Sequence, residues 1–322
     1  MQSSLFFKLF PPPAFLVMQH AGLDISDDGI RCIEYRRNYH GLTISKFASQ
    51  EFPVGLVENG EIKDEKEFST ILSDFIAKNN LLYVKVSIPE EKAYLFQTDV
   101  QSLDFKSIAQ NIEFKLDQNV PLSAPDALFQ FDLMPQTVVG NLLRASVSVV
   151  PRTYIEHYVA LIRATGAFPV AFEVVPKSIV LSYVSHNSNS TQLVVHIMKK
   201  KTGFYIVSEG VVCFTSTISW GSDEIPLTKI SDFSINTIMN EINKVYSYWT
   251  TRSDVHSDIS EVIVVGSRAK ECESLIRNQN SEIIPRSALP DVWHNAFNIN
   301  KYIPAITKAQ SLEYAIAAGL AL

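Results

Sequence analysis

The spacing of apolar and turn residues predicts an α/β protein built from two copies of a β-β-β-α-β unit, with a small α+β subdomain inserted between them. Three observations carry this prediction. A three-stranded meander followed by an amphipathic helix and a single strand stands near the start of the chain. The same order returns about 170 residues later, and the block between the copies follows a different order. With 322 residues of which 46% are apolar, the chain can bury an extended core.

In the first copy, Gly22 to Asp27 alternates as a strand, Asp27-Asp28-Gly29 supplies turn residues, and Ile30 to Arg36 forms a second strand. Tyr39-His40-Gly41 turns the chain into a third strand, Leu42 to Phe52. A helix is expected from Asp64 to Lys78: Asp64 with Glu67 resembles a capping box, and Phe68, Ile71, Leu72, Phe75 and Ile76 fall on one face. Leu82 to Ile88 is the closing strand.

The second copy has strands Leu193 to Met198, Gly203 to Val207 and Val211 to Ser219, with turns at Lys199 to Thr202 and at Glu209-Gly210. Its helix spans Ile235 to Trp249, with Ile235, Ile238, Met239, Ile242, Val245, Tyr246 and Trp249 on one stripe. Its last strand is Glu261 to Gly266.

Between the copies, Glu90 to Gly166 reads as strand Ala93 to Val100, helix Leu103 to Gln118, strands Ala127 to Leu133 and Leu142 to Val150, and helix Thr153 to Ala164, with Gly166 just past the helix end. The chain returns through Pro169 to Val175 into a helix starting at Pro176, where proline suits the first turn. The expected organisation is a lead segment 1–19, a first half made of 20–88 and 169–192, an insert 89–168, a second half 193–309 and a C-terminal helix 310–322.

Composition excludes several classes of function. A net charge of −6 without a basic stripe argues against nucleic acid. Cys32, Cys213 and Cys272 are isolated, so neither a disulfide framework nor a CxxC metal site is present, and a reducing cytoplasm fits. The seven histidines lack HExxH spacing, and there is no GxSxG elbow, Walker-type loop or GxGxxG. No apolar run reaches the roughly 18 residues of a membrane span. At the N-terminus, Met1 to Phe10 is apolar, but Pro11, Pro12 and Pro13 interrupt any signal-peptide core, so retention of the segment is expected. Its Leu5, Phe6, Phe7, Leu9 and Phe10 suit a membrane surface, a neighbour's groove or packing on their own domain.

Two copies of one unit facing each other across a cleft make the ribonuclease H-like, actin-like architecture of the actin, Hsp70 and sugar-kinase superfamily. Within it the chain resembles the family of the type IV pilus assembly protein PilM along nearly its whole length. The pieces are Gly22-Leu23-Asp24-Ile25, Val120-Pro121-Leu122, Ile162-Arg163-Ala164-Thr165-Gly166, Tyr246-Ser247-Tyr248, Val264-Val265-Gly266-Ser267 and the ending Ala317-Ala318-Gly319-Leu320-Ala321-Leu322. Their order and spacing carry the likeness, and Phe6-Phe7-Lys8-Leu9-Phe10 resembles the short lead of some relatives.

The resemblance implies a cytoplasmic actin-like protein, peripheral to the inner membrane, whose cleft binds ATP and whose first domain captures the N-terminal cytoplasmic tail of the inner-membrane protein PilN. Self-association is left open. It also implies a magnesium ion near Asp24, phosphates on the backbone of Ile25 to Gly29, including Ser26 and Gly29, and adenosine beside Gly266 and Ser267. Each residue has a plainer reading too: local pairing for Asp24, turn chemistry for Asp27, Asp28 and Gly29, and a tight strand-to-helix turn for Gly266.

Two departures bear on the ATP expectation. The second phosphate turn, Asp-x-Gly in the superfamily, is His196-Ile197-Met198 here, which removes a carboxylate and places a side chain where backbone should approach phosphate. Lys199-Lys200-Lys201 after it reads as a solvated hairpin tip or as compensating charge. Trp220 to Ser234 is also too short for the family's adenosine-contacting helix. The sequence is therefore read as a pilus-assembly scaffold with a degenerate cleft, a pseudo-ATPase whose nucleotide binding is left open. The alternatives are an active ATP-binding enzyme of the superfamily and the cytoplasmic domain of a type II secretion component.

Overall fold

A computed structural model describes residues 18–38, 41–101, 104–139, 142–185, 188–225, 232–252, 257–279 and 286–322, with backbone only at 135–139 and 232–235. The lead segment up to Val17, the Tyr39-His40 turn, part of the linker before Ser234 and the Ile235 side chain lie outside the described residues.

In chain order, the first half contains β1 (Ala21–Ser26), β2 (Gly29–Asn38), β3 (Gly41–Glu51), the short ribbon β4 (Val57–Glu58) and β5 (Glu61–Ile62), α1 (Glu65–Asn79) and β6 (Tyr83–Ile88). Next come β7 (Tyr94–Gln101), α2 (Phe105–Glu113), α3 (Leu116–Asn119), β8 (Ala127–Val139) and β9 (Leu142–Pro151). The chain continues through α4 (Arg152–Ala164), β10 (Phe168–Val174) and α5 (Val175–Tyr183). The remainder is β11 (Thr191–Ile197), β12 (Thr202–Ser208), β13 (Val211–Ile218), α6 (Asp232–Thr250), β14 (Ile259–Gly266), α7 (Ala269–Arg277), β15 (Ser287–Ala288), α8 (Lys308–Ser311) and α9 (Ala315–Leu320).

The two large sheets repeat one topology. Their orders are β10-β6-β1-β2-β3 and β13-β12-β11-β14-β15. In each, a meander is antiparallel and its first strand pairs in parallel with a later one, β1 with β6 and β11 with β14. The central strands are buried on both faces, as continuous apolar runs such as Val194-Val195 and Val262-Ile263-Val264-Val265 require. α1 begins where expected, with the Asp64 side chain accepting the Glu67 N–H at 3.0 Å, and it buries Phe68, Leu72, Phe75 and Ile76.

Two expectations need correction. The helix expected over Leu103 to Gln118 is broken into α2 and α3. Its apolar positions Ile108, Ile112 and Leu116 stay buried, but Phe114 is 85% exposed and the Lys115 N–H tightens onto Ile112 O while its ammonium bonds Thr98 Oγ1 and Asp99 O. The second correction concerns the insert, expected over 89–168. Its own three-stranded sheet, β7-β9-β8, ends at Pro151. α4 instead buries Tyr158, Leu161 and Ile162 in the core that holds Phe68, Leu72 and Val84 of the first half.

The insert also touches the second half. Ser146 Oγ donates to Val212 O at 2.6 Å and Gln97 Nε2 donates to Cys213 O at 3.0 Å, so two carbonyls of the edge strand β13 are satisfied by insert side chains. The last helices are exchanged between the halves: α9 lies on β1 of the first sheet, and α5 packs against α9 and β13. Ile33 and Tyr35 of β2 consequently share one core with Ile179 of α5, Ala317 of α9 and the whole second sheet. Among the described residues, no helix is long and apolar enough to cross a membrane.

Candidate functional site: the cleft between the hairpin turns and a groove beside the insert

The β1–β2 turn and the β11–β12 turn face each other, and between them lies a narrow cleft of about 300 Å³ including its open mouth. Asp24, Ser26, Gly266 and Ser267 all line it, together with Asp28, Arg31, His196 and Met198. Four of the five expected cofactor-binding residues are thus brought together. Gly29 is the exception. It starts β2 with φ +151°, and a Cβ there would stand 2.3 Å from Gln50 O, so the close approach of β3 is what requires glycine.

Asp24 sits on the central strand β1, 1% exposed. Its Oδ1 accepts from Ser87 Oγ at 3.0 Å, and that hydroxyl accepts the Ile25 N–H at 2.9 Å. Burial pushes its carboxyl up to about 6, against the pull of Arg31 and the Ser87 hydrogen bond. Gly266 has φ +96°, and a Cβ would lie 2.1 Å from Ile197 O; Ser267 N–H donates to that same carbonyl at 2.8 Å. The β14–α7 turn is therefore sealed onto β11.

The second turn is built from polar groups that the sequence reading did not connect. His196 is buried, with Nδ1 3.2 Å from Tyr205 Oη, and the Tyr205 hydroxyl donates to Glu90 Oε1 at 2.7 Å. With the hydroxyl proton directed to Glu90, Tyr205 accepts from His196 Nδ1–H. Burial, reinforced by Lys201 and Arg31, holds the imidazole down at about 3, so it is neutral. Burial pushes Glu90 up to about 7, with Glu91 adding to the effect.

The lysine run is not a uniformly solvated tip. Lys201 is 8% exposed; its ammonium pairs with Asp27 Oδ2 at 3.0 Å and with Glu91 Oε1. The Asp27 carboxylate also accepts the N–H groups of Asn59 and Gly60, both at 2.9 Å. Asp28 Oδ2 accepts the Lys199 N–H at 3.0 Å, and Lys199 Nζ pairs with Glu51 at 2.9 Å. Only Lys200 stands exposed. An acidic turn thus meets a basic one, and each satisfies the other.

This arrangement does not fit Mg-ATP. Magnesium needs oxygen ligands in near-octahedral array and keeps several waters. Here Asp24 is buried and bonded to Ser87, the buried His196 imidazole is neutral, and Asp27 and Asp28 are engaged by Lys201 and the Lys199 amide. Among the described residues, no three His, Cys, Asp or Glu side chains are grouped to hold a metal. The free space beside Asp24 takes about one water-sized molecule, while a larger cavity of about 1040 Å³, including its open mouth, lies next to it between Asp27, Asp28 and the Lys199 to Lys201 turn.

A second concavity has different chemistry. A groove of about 540 Å³ is lined by Ile88, Leu128, Phe129, Val150, Ile155, Phe172 and Val174. It runs between β8 and β9 of the insert and β6, β10 and α4 of the first half. β8 and β10 are both edge strands of their sheets, so the groove is flanked by open strand edges. Gln130 Nε2 of β8 donates to Glu173 Oε1 of β10 across it.

No protein-family model matches the chain, and no curated protein matches it. Among solved structures it is similar to a chain of a PilM–PilN type IV pilus biogenesis complex, with a TM-score of 0.74 at 14% identity, covering 94% of this chain and 98% of that one. It also overlaps a Bacteroides thetaiotaomicron protein described as having an actin-like ATPase fold and unknown function (TM-score 0.48, 11% identity, 88% and 93% of the two chains). A third overlap is with the cytoplasmic domain of EpsL, an inner membrane component of the Vibrio cholerae type II secretion system (TM-score 0.49, 8% identity, 92% and 94%). With its two sheets of one repeated topology and its near end-to-end superposition on the pilus-complex chain, the protein has the actin-like fold.

Proposed function

We propose that the protein is a cytoplasmic scaffold, peripheral to the inner membrane, that takes part in assembling a type IV pilus by binding the N-terminal tail of a PilN-like membrane protein, and that its cleft does not turn over ATP. The observation that carries the partner is the apolar groove bordered by two open strand edges, in a chain whose fold is similar to that of one chain of a PilM–PilN complex. An extended peptide would gain main-chain hydrogen bonds from β8 or β10 and seat alternate apolar side chains against Leu128, Ile155 and Phe172. The acid–lysine closure of the cleft supports the non-enzymatic half of the reading.

Calorimetric titration with a synthetic PilN-type tail, and separately with Mg-ATP, tests both halves. Binding of the peptide that weakens at least tenfold in Phe172→Asp, with no heat from Mg-ATP, is the expected result. Peptide binding that Phe172→Asp leaves unchanged would remove the groove from the reading. Mg-ATP binding that Asp24→Ala abolishes, with turnover, would return the cleft to an active nucleotide site.

A further inference from the structure

We infer that the two halves are held closed by a cation supplied by the chain itself, the Lys201 ammonium, which joins the first half, the root of the insert and the second half at one point. Lys201 belongs to the second half, as the last residue of the β11–β12 turn. Its partner Asp27 belongs to the first half, in the β1–β2 turn, and its partner Glu91 lies in the single turn of 3₁₀ helix, Glu90–Lys92, through which the chain leaves β6 for the insert. A charge this buried is tolerated only while it is paired.

The neighbouring contacts all cross the same junction. Asp28 accepts the Lys199 amide, Tyr205 donates to Glu90, and Ser146 and Gln97 of the insert donate to β13. The halves cannot part without drawing Lys201 away from Asp27, and the root of the insert cannot swing without drawing Glu91 from Lys201 or Glu90 from Tyr205. Either motion strands a buried charge. Closure of this cleft therefore needs no bound ligand, and the position of the insert and the closure of the cleft belong to one equilibrium.

Distances between spin labels test the clamp. Lys66→Cys on α1 and Lys270→Cys on α7 place labels on exposed positions of opposite halves, while Cys32, Cys213 and Cys272 are buried. With no nucleotide or peptide added, the parent should give one narrow distance distribution. Lys201→Met should broaden and shift it to longer distance, Lys201→Arg should largely preserve it, and Lys200→Met, which removes an exposed charge, should leave it unchanged. A Lys201→Met distribution identical to the parent's, or equal broadening in Lys200→Met, would overturn the inference. Should Lys201→Met fail to fold, Asp27→Asn and Glu91→Gln each remove one partner and should each broaden the distribution; no change in both would overturn it as well. The readout involves neither peptide nor ATP, so it stands or falls apart from the scaffold reading.

Discussion

Asp24 illustrates how burial redirects a side chain. Its folded-state pKa of about 6 lies above the ordinary 3.8. Between those values the folded protein keeps a proton that the unfolded chain has released, so stability falls as pH rises through the window and stays lower above it. Two pH units correspond to about 3 kcal/mol. Asp24→Asn keeps an oxygen to accept from Ser87 and never ionises. Urea denaturation should therefore find it about 1–3 kcal/mol more stable than the parent at pH 7.5, with the gain gone near pH 4. Marked destabilisation at pH 7.5 would mean that the carboxylate has a partner that compensates its burial. His196 works in the opposite sense: its folded value near 3 lies below 6.5, so its contribution is lost as pH falls through that window. Glu90, raised from 4.5 to about 7, gains stability as pH falls, so within one hydrogen-bonded chain the two slopes oppose each other. The strand that carries Asp24 was legible, but the burial that raises its carboxyl was not. Nor was the role of Glu90, because its partner Tyr205 is 115 residues away and no local pattern joins them.

At the level of elements, the meanders, α1 and the parallel strands were legible because each is written in local periodicity and punctuation. What escaped was decided by packing. The Leu103 to Gln118 stretch carries one helical stripe yet breaks at Phe114, and α4 reads as part of the insert but packs on the first sheet. Gly266 was readable either as part of an adenosine loop or as a tight turn, and the structure has a tight turn there that also lines the cleft. A comparison of two glycines separates conformational strain from contact. Gly166 has φ +88° with nothing within 4 Å of where a Cβ would stand, whereas at Gly266 the same atom meets Ile197 O at 2.1 Å. Gly166→Ala should cost about 1 kcal/mol, the penalty of a left-handed residue alone. Gly266→Ala should cost roughly 3 kcal/mol or more, because β14 must also separate from β11. Equal losses in chemical denaturation would show that the seal between Gly266 and β11 contributes little.

Across the whole molecule, the exchange of last helices makes two similar halves into one cooperative body. The ending Ala315 to Leu320 is legible as a small-residue helix, but its docking on the other half's sheet is not, since small residues permit close approach without naming the surface approached. Gly319 shows how close that approach is: a Cβ there would lie 1.8 Å from Ser178 O of α5. The α5–α9 contact lies within the shared core, while Phe68, Leu72, Val84 and Ile162 form a separate core of the first half that does not depend on it. Gly319→Ala must therefore push α9 from α5, at a cost of roughly 3 kcal/mol or more, and that cost falls on the joint between the halves. The parent should unfold in one calorimetric transition, with its calorimetric and van't Hoff enthalpies in agreement. In Gly319→Ala the transition should move to lower temperature and split, the second half and its shared core melting first and the first half's own core later. A variant that melts in a single sharp transition at the parental midpoint would mean that the exchanged helices are not what couples the halves, and would leave the Lys201 junction as the coupling between them.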